Sequence, residues 1–257
     1  MEKDIQTLIQ QLPYKIKLLV KEAGTDHSLL TKDLDDVFSS ASLIKVPILL
    51  AVLDYVENEN ISLYQIVKIS KENRVEFSVL TELEAEECAL GDLLLWMIII
   101  SDNTATNVLI DLIGLEKLNQ YFKKIGLTQT RIQRKMMDFA QLEKGFDNLT
   151  TARDMGTLYT AIYRKSLLSL EYSNLVIDIL SRQRVYDSLK RYIVDDVKIA
   201  HKTGSLDTVE HDVGIVFSNK GDYIIGVFVT DHSNSEAAKG CIGKISMIVY
   251  EHMGKGE

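Results

Sequence analysis

The sequence predicts an α/β chain of the α+β type, in which an antiparallel sheet with flanking helices carries an inserted all-helical domain. Strand-like patterns occur near the two ends of the 257-residue chain, whereas helical periodicity dominates from about residue 42 to residue 190. The period then changes, and an S-N-K-G-D turn separates two strand-like runs, which is typical of a hairpin. We therefore expect a sheet domain of residues 1–38 and 196–257, a helical domain of residues 39–195, and a ligand site in the cleft between them.

The spacing of apolar residues predicts each element in turn. It predicts a short helix over 5–12, and the run K-I-K-L-L-V-K-E predicts a strand over 15–22, followed by a second strand near 27–31. Helical spacing then predicts helices over 43–56, 90–100, 105–113, 115–125, 152–163 and 172–181. Runs such as V-E-H-D-V-G-I-V-F predict strands over 197–204, 209–217 and 223–231, and a helix over 235–252 closes the pattern.

Composition limits the possible partners. The chain has 29 Lys and Arg residues against 37 Asp and Glu, a net charge of −8, and no basic stripe. Nucleic acid and anionic membrane surfaces are therefore poor partner candidates. Cys88 and Cys241 show no C-x-x-C spacing, and the five histidines are scattered, so we expect no metal site.

The longest unbroken apolar run in the middle of the chain is too short to cross a bilayer. Leu93–Ile100 has eight residues, whereas a spanning helix needs about 20. The start M-E-K-D-I-Q-T-L lacks the apolar core of a secretory signal. As written, we expect a cytoplasmic monomer with no transmembrane segment; if a leader was removed, we expect a secreted or cell-envelope protein.

One lysine lies in an otherwise apolar run, F-S-S-A-S-L-I-K-V-P-I-L-L-A-V-L. Lys45 follows Ser42 by three residues, so the two side chains share a helix face. Burial disfavours the charged ammonium, which lets a lysine act as a base that activates a neighbouring serine. The structural alternative is that Ser39 or Ser40 caps the helix and that Lys45 extends to water.

A short polar segment, Ser101-Asp102-Asn103, follows the apolar run L-L-L-W-M-I-I-I. Serine, aspartate and asparagine are favoured N-cap residues, so simple capping would explain the segment alone. In the functional interpretation, Ser101 relays a proton to a leaving group, and Asn103 holds a substrate carbonyl and contacts Lys45.

The third segment, K-T-G-S, ends a predicted strand. Here Lys202 would be a cationic anchor near Ser101, Thr203 and Ser205 would bind a substrate carboxylate, and Gly204 would permit close approach of backbone or ligand. A strand-ending turn is the structural alternative for this segment taken alone.

Together, S-x-x-K, S-D-N and K-T-G in this order resemble the superfamily of class A β-lactamases and penicillin-binding proteins. The segments F-S-S-A-S-L-I-K-V-P-I-L-L-A-V-L and S-D-N-T-A-T-N-V-L-I match the class A pattern beyond the motif residues. The tripeptide E-F-S resembles the class A segment that puts an aromatic side chain at the pocket rim, here Phe77. The resemblance covers the chain from the first strand to the final helix, and it implies a β-lactamase/transpeptidase-like fold that needs no cofactor.

The chemistry that the resemblance implies is acyl transfer. Ser42 would attack the β-lactam carbonyl, with Lys45 as the base, directly or through a water. The backbone N–H groups of Ser42 and Ser205 would form the oxyanion hole. Ser101, assisted by Lys202, would pass a proton to the leaving nitrogen.

One expected group is missing from the omega-loop segment. Class A enzymes hydrolyse the acyl-enzyme with a glutamate in an R-x-E-x-x-L-N context, whereas this chain has R-K-M-M-D-F, with Met136 in the glutamate position. A thioether cannot take a proton from water, so we expect slow deacylation. Asp138 is the nearest carboxylate in sequence and a candidate for this role. Arg134 is expected to pair with Asp147 across the neck of the loop.

The resemblance therefore implies a serine β-lactamase of class A type whose acyl-enzyme on Ser42 turns over slowly. Two alternatives remain open: a penicillin-binding-like D-alanyl-D-alanine peptidase, or a relative that binds β-lactams or peptidoglycan without turnover. The substrate would be a small-molecule β-lactam or a peptidoglycan-type peptide. Glu210 and His211 occupy the region where many class A enzymes have an arginine for the substrate carboxylate, which puts the substrate preference in doubt.

Overall fold

The structure, a computed structural model, describes residues 1–253. Its helices are α1 (Glu2–Gln10), α2 (Lys45–Asn58), α3 (Val79–Glu82), α4 (Leu90–Ile99), α5 (Asn103–Ile113), α6 (Leu115–Lys124), α7 (Phe139–Glu143), α8 (Ala152–Arg164), α9 (Leu170–Ser181) and α10 (Ser235–Met253). The strands are β1 (Lys15–Glu22), β2 (Ser28–Lys32), β3 (Phe38–Ser39), β4 (Ile66–Lys68), β5 (Glu87–Ala89), β6 (Leu149–Thr150), β7 (Lys198–Leu206), β8 (Val209–Phe217) and β9 (Tyr223–Thr230). Short 3₁₀ turns span Ala41–Ile44 and Lys71–Asn73.

The main sheet joins the two ends of the described chain. Its five strands lie in the order β2-β1-β9-β8-β7, and every neighbouring pair is antiparallel. Strand β1 pairs along its whole length with β9, and β8 forms hairpins with both β7 and β9. The predicted antiparallel sheet and the predominantly helical middle segment are therefore confirmed.

Both faces of the sheet are covered, which explains why its central strand, β9, is almost entirely apolar. Every residue of β9 is buried, and so is most of β1. One face packs against α1 and α10 around residues such as Val227 and Ile242. The other face, which includes Leu19 and Phe228, belongs to a larger core that continues into the helices of the middle segment. Because sheet and helices share this core, the two-domain division stays a prediction.

The helix that carries Lys45 begins later than predicted. The sequence pattern predicted a helix from Leu43, whereas α2 begins at Lys45 after a 3₁₀ turn. This start puts Pro47 in the first turn of α2, where a backbone N–H has no partner within the helix, so proline costs no hydrogen bond there. A start at Leu43 would instead have put Pro47 in the second turn.

Several short elements lacked a clear sequence signal. The two-residue strands β3 and β6 pair with each other, and the three-residue strands β4 and β5 form another small sheet. Strands of this length show too few residues to reveal a period of two.

None of the helices within residues 1–253 combines the length and apolar character needed to span a bilayer.

The pairing of β7 with β8 leaves no room for a side chain at Gly214. A Cβ atom at this position would lie 2.5 Å from His201 Cβ and 2.8 Å from the Ala200 carbonyl oxygen. We expect Gly214→Ala to lower the free energy of unfolding, measured with urea, by about 1–3 kcal/mol. Gly24→Ala is the control, because its Cβ would meet only Tyr163 Cε1, at 3.7 Å; an equal loss in both variants would contradict this account.

Candidate active site

Ser42 lies in the 3₁₀ turn that precedes α2. The preceding residue, Ala41, has a left-handed backbone with φ of 45°. The turn is anchored by Ser40, whose backbone N–H and Oγ both donate to the Asn148 carbonyl oxygen, at 2.7 and 3.0 Å. Ser42 itself is half-buried. These contacts fix the backbone around Ser42 while leaving its side chain partly accessible.

Lys45 is the first residue of α2, and its side chain is fully buried. Its Nζ lies within hydrogen-bond distance of three oxygens: the Ser101 carbonyl at 2.7 Å, Ser101 Oγ at 3.0 Å and Asn103 Oδ1 at 2.8 Å. The predicted contact between Asn103 and Lys45 is confirmed. The alternative that Lys45 extends to water is wrong.

The loop between α4 and α5 presents Ser101 and Asn103 to Lys45. Ser101 has a left-handed backbone with φ of 60°, a conformation uncommon for residues other than glycine. The buried Asp102 between them caps α5 by accepting from the Ala105 N–H at 2.8 Å, and it also accepts from Ser78 Oγ at 2.9 Å. The capping interpretation of this segment is therefore correct for Asp102, and capping is also what positions its two neighbours.

Lys202 reaches the same point from strand β7. Its Nζ donates to Ser101 Oγ at 3.1 Å and to the Thr203 carbonyl at 2.9 Å, and its side chain is fully buried. The predicted proximity of Lys202 to Ser101 is confirmed. Ser101 Oγ thus lies within hydrogen-bond distance of two buried amines, one from α2 and one from β7.

Burial controls the protonation of both lysines. It holds the pKa of Lys45 well below the ordinary value, and the positive charge of Lys202 lowers it further against the opposing effect of Asp102. Burial also lowers the pKa of Lys202 to about 7, with the carboxylate of Asp212 acting in the opposite direction. A neutral Lys45 amine can donate to the Ser101 carbonyl and to Asn103 Oδ1 while its lone pair accepts a proton.

Ser42 and Lys45 share one side of the turn without being hydrogen-bonded. In a 3₁₀ turn residues three apart are eclipsed, so the predicted common face is retained although the α-helix starts later. Within residues 1–253, however, the hydrogen bonds of Lys45 Nζ go to Ser101 and Asn103 only. The roles of Ser42 as nucleophile and Lys45 as base therefore stay predictions.

Gly204 brings strand β7 against the turn that carries Ser42. A Cβ at Gly204 would lie 3.1 Å from the Ser40 carbonyl oxygen, 3.2 Å from Ala41 Cβ and 3.3 Å from Leu43 Cγ. Only a residue without a side chain fits this approach without displacing the turn. The close backbone approach predicted for Gly204 is confirmed.

The side chains after Gly204 are partly engaged with the protein itself. Thr203 is largely buried, and the exposed Ser205 donates its hydroxyl to Glu210 Oε1 at 2.8 Å. His211, on strand β8, is fully buried, and its Nε2 lies 3.0 Å from the Ser39 carbonyl oxygen. Binding of a substrate carboxylate by Thr203 and Ser205 stays a prediction.

Phe77 lies at the outside of the same region. Its side chain is 76% exposed, and its backbone is left-handed with φ of 55°. Its carbonyl oxygen accepts from the Asn103 N–H at 3.5 Å, and Asn103 Nδ2 donates to the Glu76 carbonyl oxygen at 3.4 Å. Phe77 is thus tied through its backbone to a residue that contacts Lys45, and its role as a substrate wall stays a prediction.

The loop from Arg134 to Asp147 closes as predicted. Arg134 Nε and Nη2 donate to Asp147 Oδ1 at 3.1 and 2.8 Å. Met136 is held in the loop by Asn107, which accepts from its N–H at 2.8 Å and donates to its carbonyl oxygen at 3.2 Å. Asp138 caps α7 by accepting from the Gln141 N–H at 3.1 Å.

The sequence interpretation did not identify Asn107 or the contact between Ser205 and Glu210. Asn107 follows Asn103 by four residues, so the two share a face of α5, and this spacing could have indicated a second polar contact to the cleft. The pairing of Ser205 with Glu210 depends on the register of β7 against β8, which the sequence left undetermined.

Comparison with known proteins finds beta-lactamases that are similar over most of the chain. The model of the beta-lactamase enzyme family matches residues 1–253. The chain is 29% identical over 207 residues to beta-lactamase AER-1 of Aeromonas hydrophila, an alignment that covers 77% of this chain and 68% of that protein. It is 28% identical over 229 residues to a beta-lactamase of Rhodobacter capsulatus, covering 86% of this chain and 77% of that protein.

Solved structures have the same fold. PBP-A superimposes with a TM-score of 0.88 at 30% identity, covering 97% of this chain and 94% of that chain. A beta-lactamase from Chitinophaga pinensis gives a TM-score of 0.90 at 24% identity, covering 97% of this chain and 98% of that chain. These likenesses establish the β-lactamase/transpeptidase-like fold that the resemblance implied.

The lowered pKa of Lys202 makes stability depend on pH. Between about pH 7 and the ordinary lysine value of 10.5, the unfolded chain keeps a proton that the folded protein releases. Stability from this group therefore rises with pH across that window, a change on the order of a few kcal/mol. In Lys202→Met this rise is absent. The free energy of unfolding of the variant, relative to that of wild type, should therefore be highest near pH 7 and lowest at high pH.

Urea unfolding of both proteins at several pH values measures this difference. Lys198→Met, at an exposed position on the same strand, controls for the loss of a lysine. A free-energy difference between Lys202→Met and wild type that does not change with pH would contradict the burial effect.

Proposed function

The chain belongs to the beta-lactamase enzyme family, and on that premise we propose that it is a serine hydrolase of class A type that is acylated on Ser42 by β-lactams and releases the acyl group slowly. The observation that carries this proposal is the buried cluster of Lys45, Ser101 and Lys202. The two amines lie 3.0 and 3.1 Å from the same hydroxyl oxygen. Such a cluster is suited to moving a proton from a nucleophile to a leaving group.

The acylation step transfers one proton around the cluster. Ser42 Oγ forms a bond to the lactam carbonyl carbon, and its proton passes to the Lys45 amine, directly or through a water. Lys45 then returns a proton through the Ser101 hydroxyl to the lactam nitrogen as the C–N bond breaks. A pKa well below the ordinary lysine value lets Lys45 accept the proton, and Lys202 Nζ donates a hydrogen bond to Ser101 Oγ at 3.1 Å.

The developing negative charge on the carbonyl oxygen needs donors from two directions. The backbone N–H groups of Ser42 and Ser205 are suited to this role, because Gly204 lets β7 contact the Ser42 turn. Asn103, whose Oδ1 accepts from Lys45 at 2.8 Å, positions the amine. Phe77, exposed at the rim, contributes an apolar wall.

Slow deacylation follows from the chemistry of the loop. Met136 stands where the resemblance expects a glutamate, and Asn107 binds both its N–H and its carbonyl oxygen. The backbone of Met136 is therefore fixed, but its side chain has no atom that could act as a general base. The carboxylate of Asp138 is already used as the N-cap of α7. These contacts argue against Asp138 as a substitute base and support a long-lived acyl-enzyme.

A D-alanyl-D-alanine peptidase of the penicillin-binding type is the second candidate. It is favoured by the 30% identity to PBP-A, a leucine-to-glutamate variant of which was solved as an acyl-enzyme complex with penicillin G. The two candidates share the acylation chemistry and differ in the substrate that is turned over. Release of D-alanine from a peptide without hydrolysis of a chromogenic cephalosporin would favour the peptidase.

Removing the proposed nucleophile tests the acylation site. We expect Ser42→Ala to abolish covalent labelling by a fluorescent penicillin, because Ser42 is the only serine of the sequence that has a lysine three residues later. Ser39→Ala is the matched control, since Ser39 Oγ is buried and has no hydrogen-bond partner within residues 1–253. Undiminished labelling of Ser42→Ala would exclude Ser42 as the nucleophile.

Restoring a carboxylate tests the cause of slow deacylation. We expect Met136→Glu to shorten the lifetime of the acyl-enzyme by about tenfold or more, because general-base catalysis typically contributes factors of 10²–10⁴. Intact-protein mass spectrometry after a pulse of penicillin follows the decay. Met136→Gln has the same shape without a base and should decay as slowly as wild type. Rapid decay in the unmutated protein would contradict the proposed role of Met136.

A further inference from the structure

A negatively charged side chain lies directly behind Ser205, at the end of the K-T-G-S segment. Ser205 and Glu210 face each other in the register of β7 with β8. Ser205 is an exposed residue directly after Gly204, which contacts the turn of Ser42, and its hydroxyl donates to Glu210 Oε1 at 2.8 Å. Its single hydrogen is therefore already used within the protein.

Glu210 is held firmly in this position. Its side chain is 2% exposed, and Ser235 Oγ, at the start of α10, also donates to Oε1, at 2.6 Å. Both of these bonds use the same oxygen, so within residues 1–253 Oε2 has no hydrogen-bond donor. Burial raises the pKa of Glu210, and the hydrogen bonds from Ser235 and Ser205 oppose this rise because they favour the charged carboxylate.

The positive groups around Glu210 do not cancel this charge. Lys239 and His232 are the charged or titratable groups that act on it. Lys239 Nζ is ion-paired with Asp187 at 2.8 Å. On the neighbouring position of β8, His211 is fully buried, and burial lowers its pKa to about 4, so it is neutral at pH 7.

A ligand carboxylate at Ser205 would consequently meet an unfavourable environment. Ser205 can accept a hydrogen bond there but cannot donate one without giving up Glu210, and the two carboxylates would repel each other. A carboxamide, a hydroxyl or an ammonium would instead donate to Ser205 Oγ or to Glu210 Oε2. The expectation that Ser205 binds a substrate carboxylate therefore conflicts with the polarity of this site.

We propose that Ser205 and Glu210 form a subsite that selects acyl donors with a hydrogen-bond donor, such as a carboxamide, where a carboxylate would otherwise lie. This inference rests on the proposed acylation of Ser42 and specifies the substrate class of that site. The substrates would be β-lactams or peptides whose group on the leaving-nitrogen side is amidated or otherwise uncharged.

The test compares three probes that share one β-lactam ring: benzylpenicillin, its carboxamide and its methyl ester. Rates of acylation are measured by intact-protein mass spectrometry, and each is divided by the rate of alkaline hydrolysis of the same probe without protein. For wild type we expect the carboxamide to react about tenfold or more faster than the carboxylate, since like charges in contact are strongly unfavourable. The ester, which is neutral but has no donor, should fall between them.

Replacing the charged side chain of Glu210 with a neutral one should remove the preference for the carboxamide. In Glu210→Gln, which keeps the shape and an acceptor oxygen, the ratio of carboxamide to carboxylate rates should fall by about tenfold. Glu236→Gln is the control, because it removes the same charge from an exposed residue one position after Ser235 and should leave the ratio unchanged.

The outcomes separate the two proposals. Acylation of wild type with no preference for the carboxamide, or an unchanged ratio in Glu210→Gln, would overturn the subsite and leave the acylation of Ser42 intact. Failure of every probe to acylate wild type would overturn the proposed function and the subsite with it. The wild-type ratio needs no variant, so poor folding of Glu210→Gln would not prevent the decision.

Discussion

The burial of the Lys45 amine is the constraint on which the rest of the site depends. An amine with no access to water must find acceptors in the protein, and here they are the carbonyl and hydroxyl of Ser101 and the amide oxygen of Asn103. These acceptors are available only because Ser101 adopts a left-handed backbone and Asp102 fixes the loop from below. Burial of the amine, together with the nearby charge of Lys202, lowers its pKa.

The same constraint explains why three distant segments must meet. Lys45 lies on α2, the Ser101 loop joins α4 to α5, and Lys202 comes from the edge strand β7. The large core that continues from the helices into one face of the sheet holds these elements together. Because Gly204 has no side chain, strand β7 can pack directly against the turn that carries Ser42. The reactive cluster is thus a consequence of packing across the whole chain.

The sequence predicted the parts of this arrangement that depend on residue identity and period. The apolar environment of Lys45 and the three-residue spacing from Ser42 indicated a buried amine, and alternating runs at the two ends indicated the sheet. The start of α2 was predicted two residues too early, because apolar periodicity continues through the 3₁₀ turn while Pro47 limits where the helix can begin.

Contacts that depend on register or loop conformation could not be predicted. The pairing of Ser205 with Glu210 depends on the register that the turn between β7 and β8 sets for the two strands. A shift of this register by one residue would have turned Glu210 to the other face of the sheet. In the loop, the pair of Arg134 and Asp147 was implied by the resemblance to class A enzymes and proved correct. The use of Asp138 as a helix cap depends on α7, which is only five residues long.

The most direct test of the central claim is an NMR titration of the side-chain amine of Lys45, assigned by comparison with Lys45→Arg. The account predicts that this amine titrates well below the ordinary lysine value of 10.5, because burial disfavours its charged form. An amine that stays charged at pH 7 and titrates near the ordinary lysine value of 10.5 would contradict it, because a charged lysine could not take the proton from Ser42.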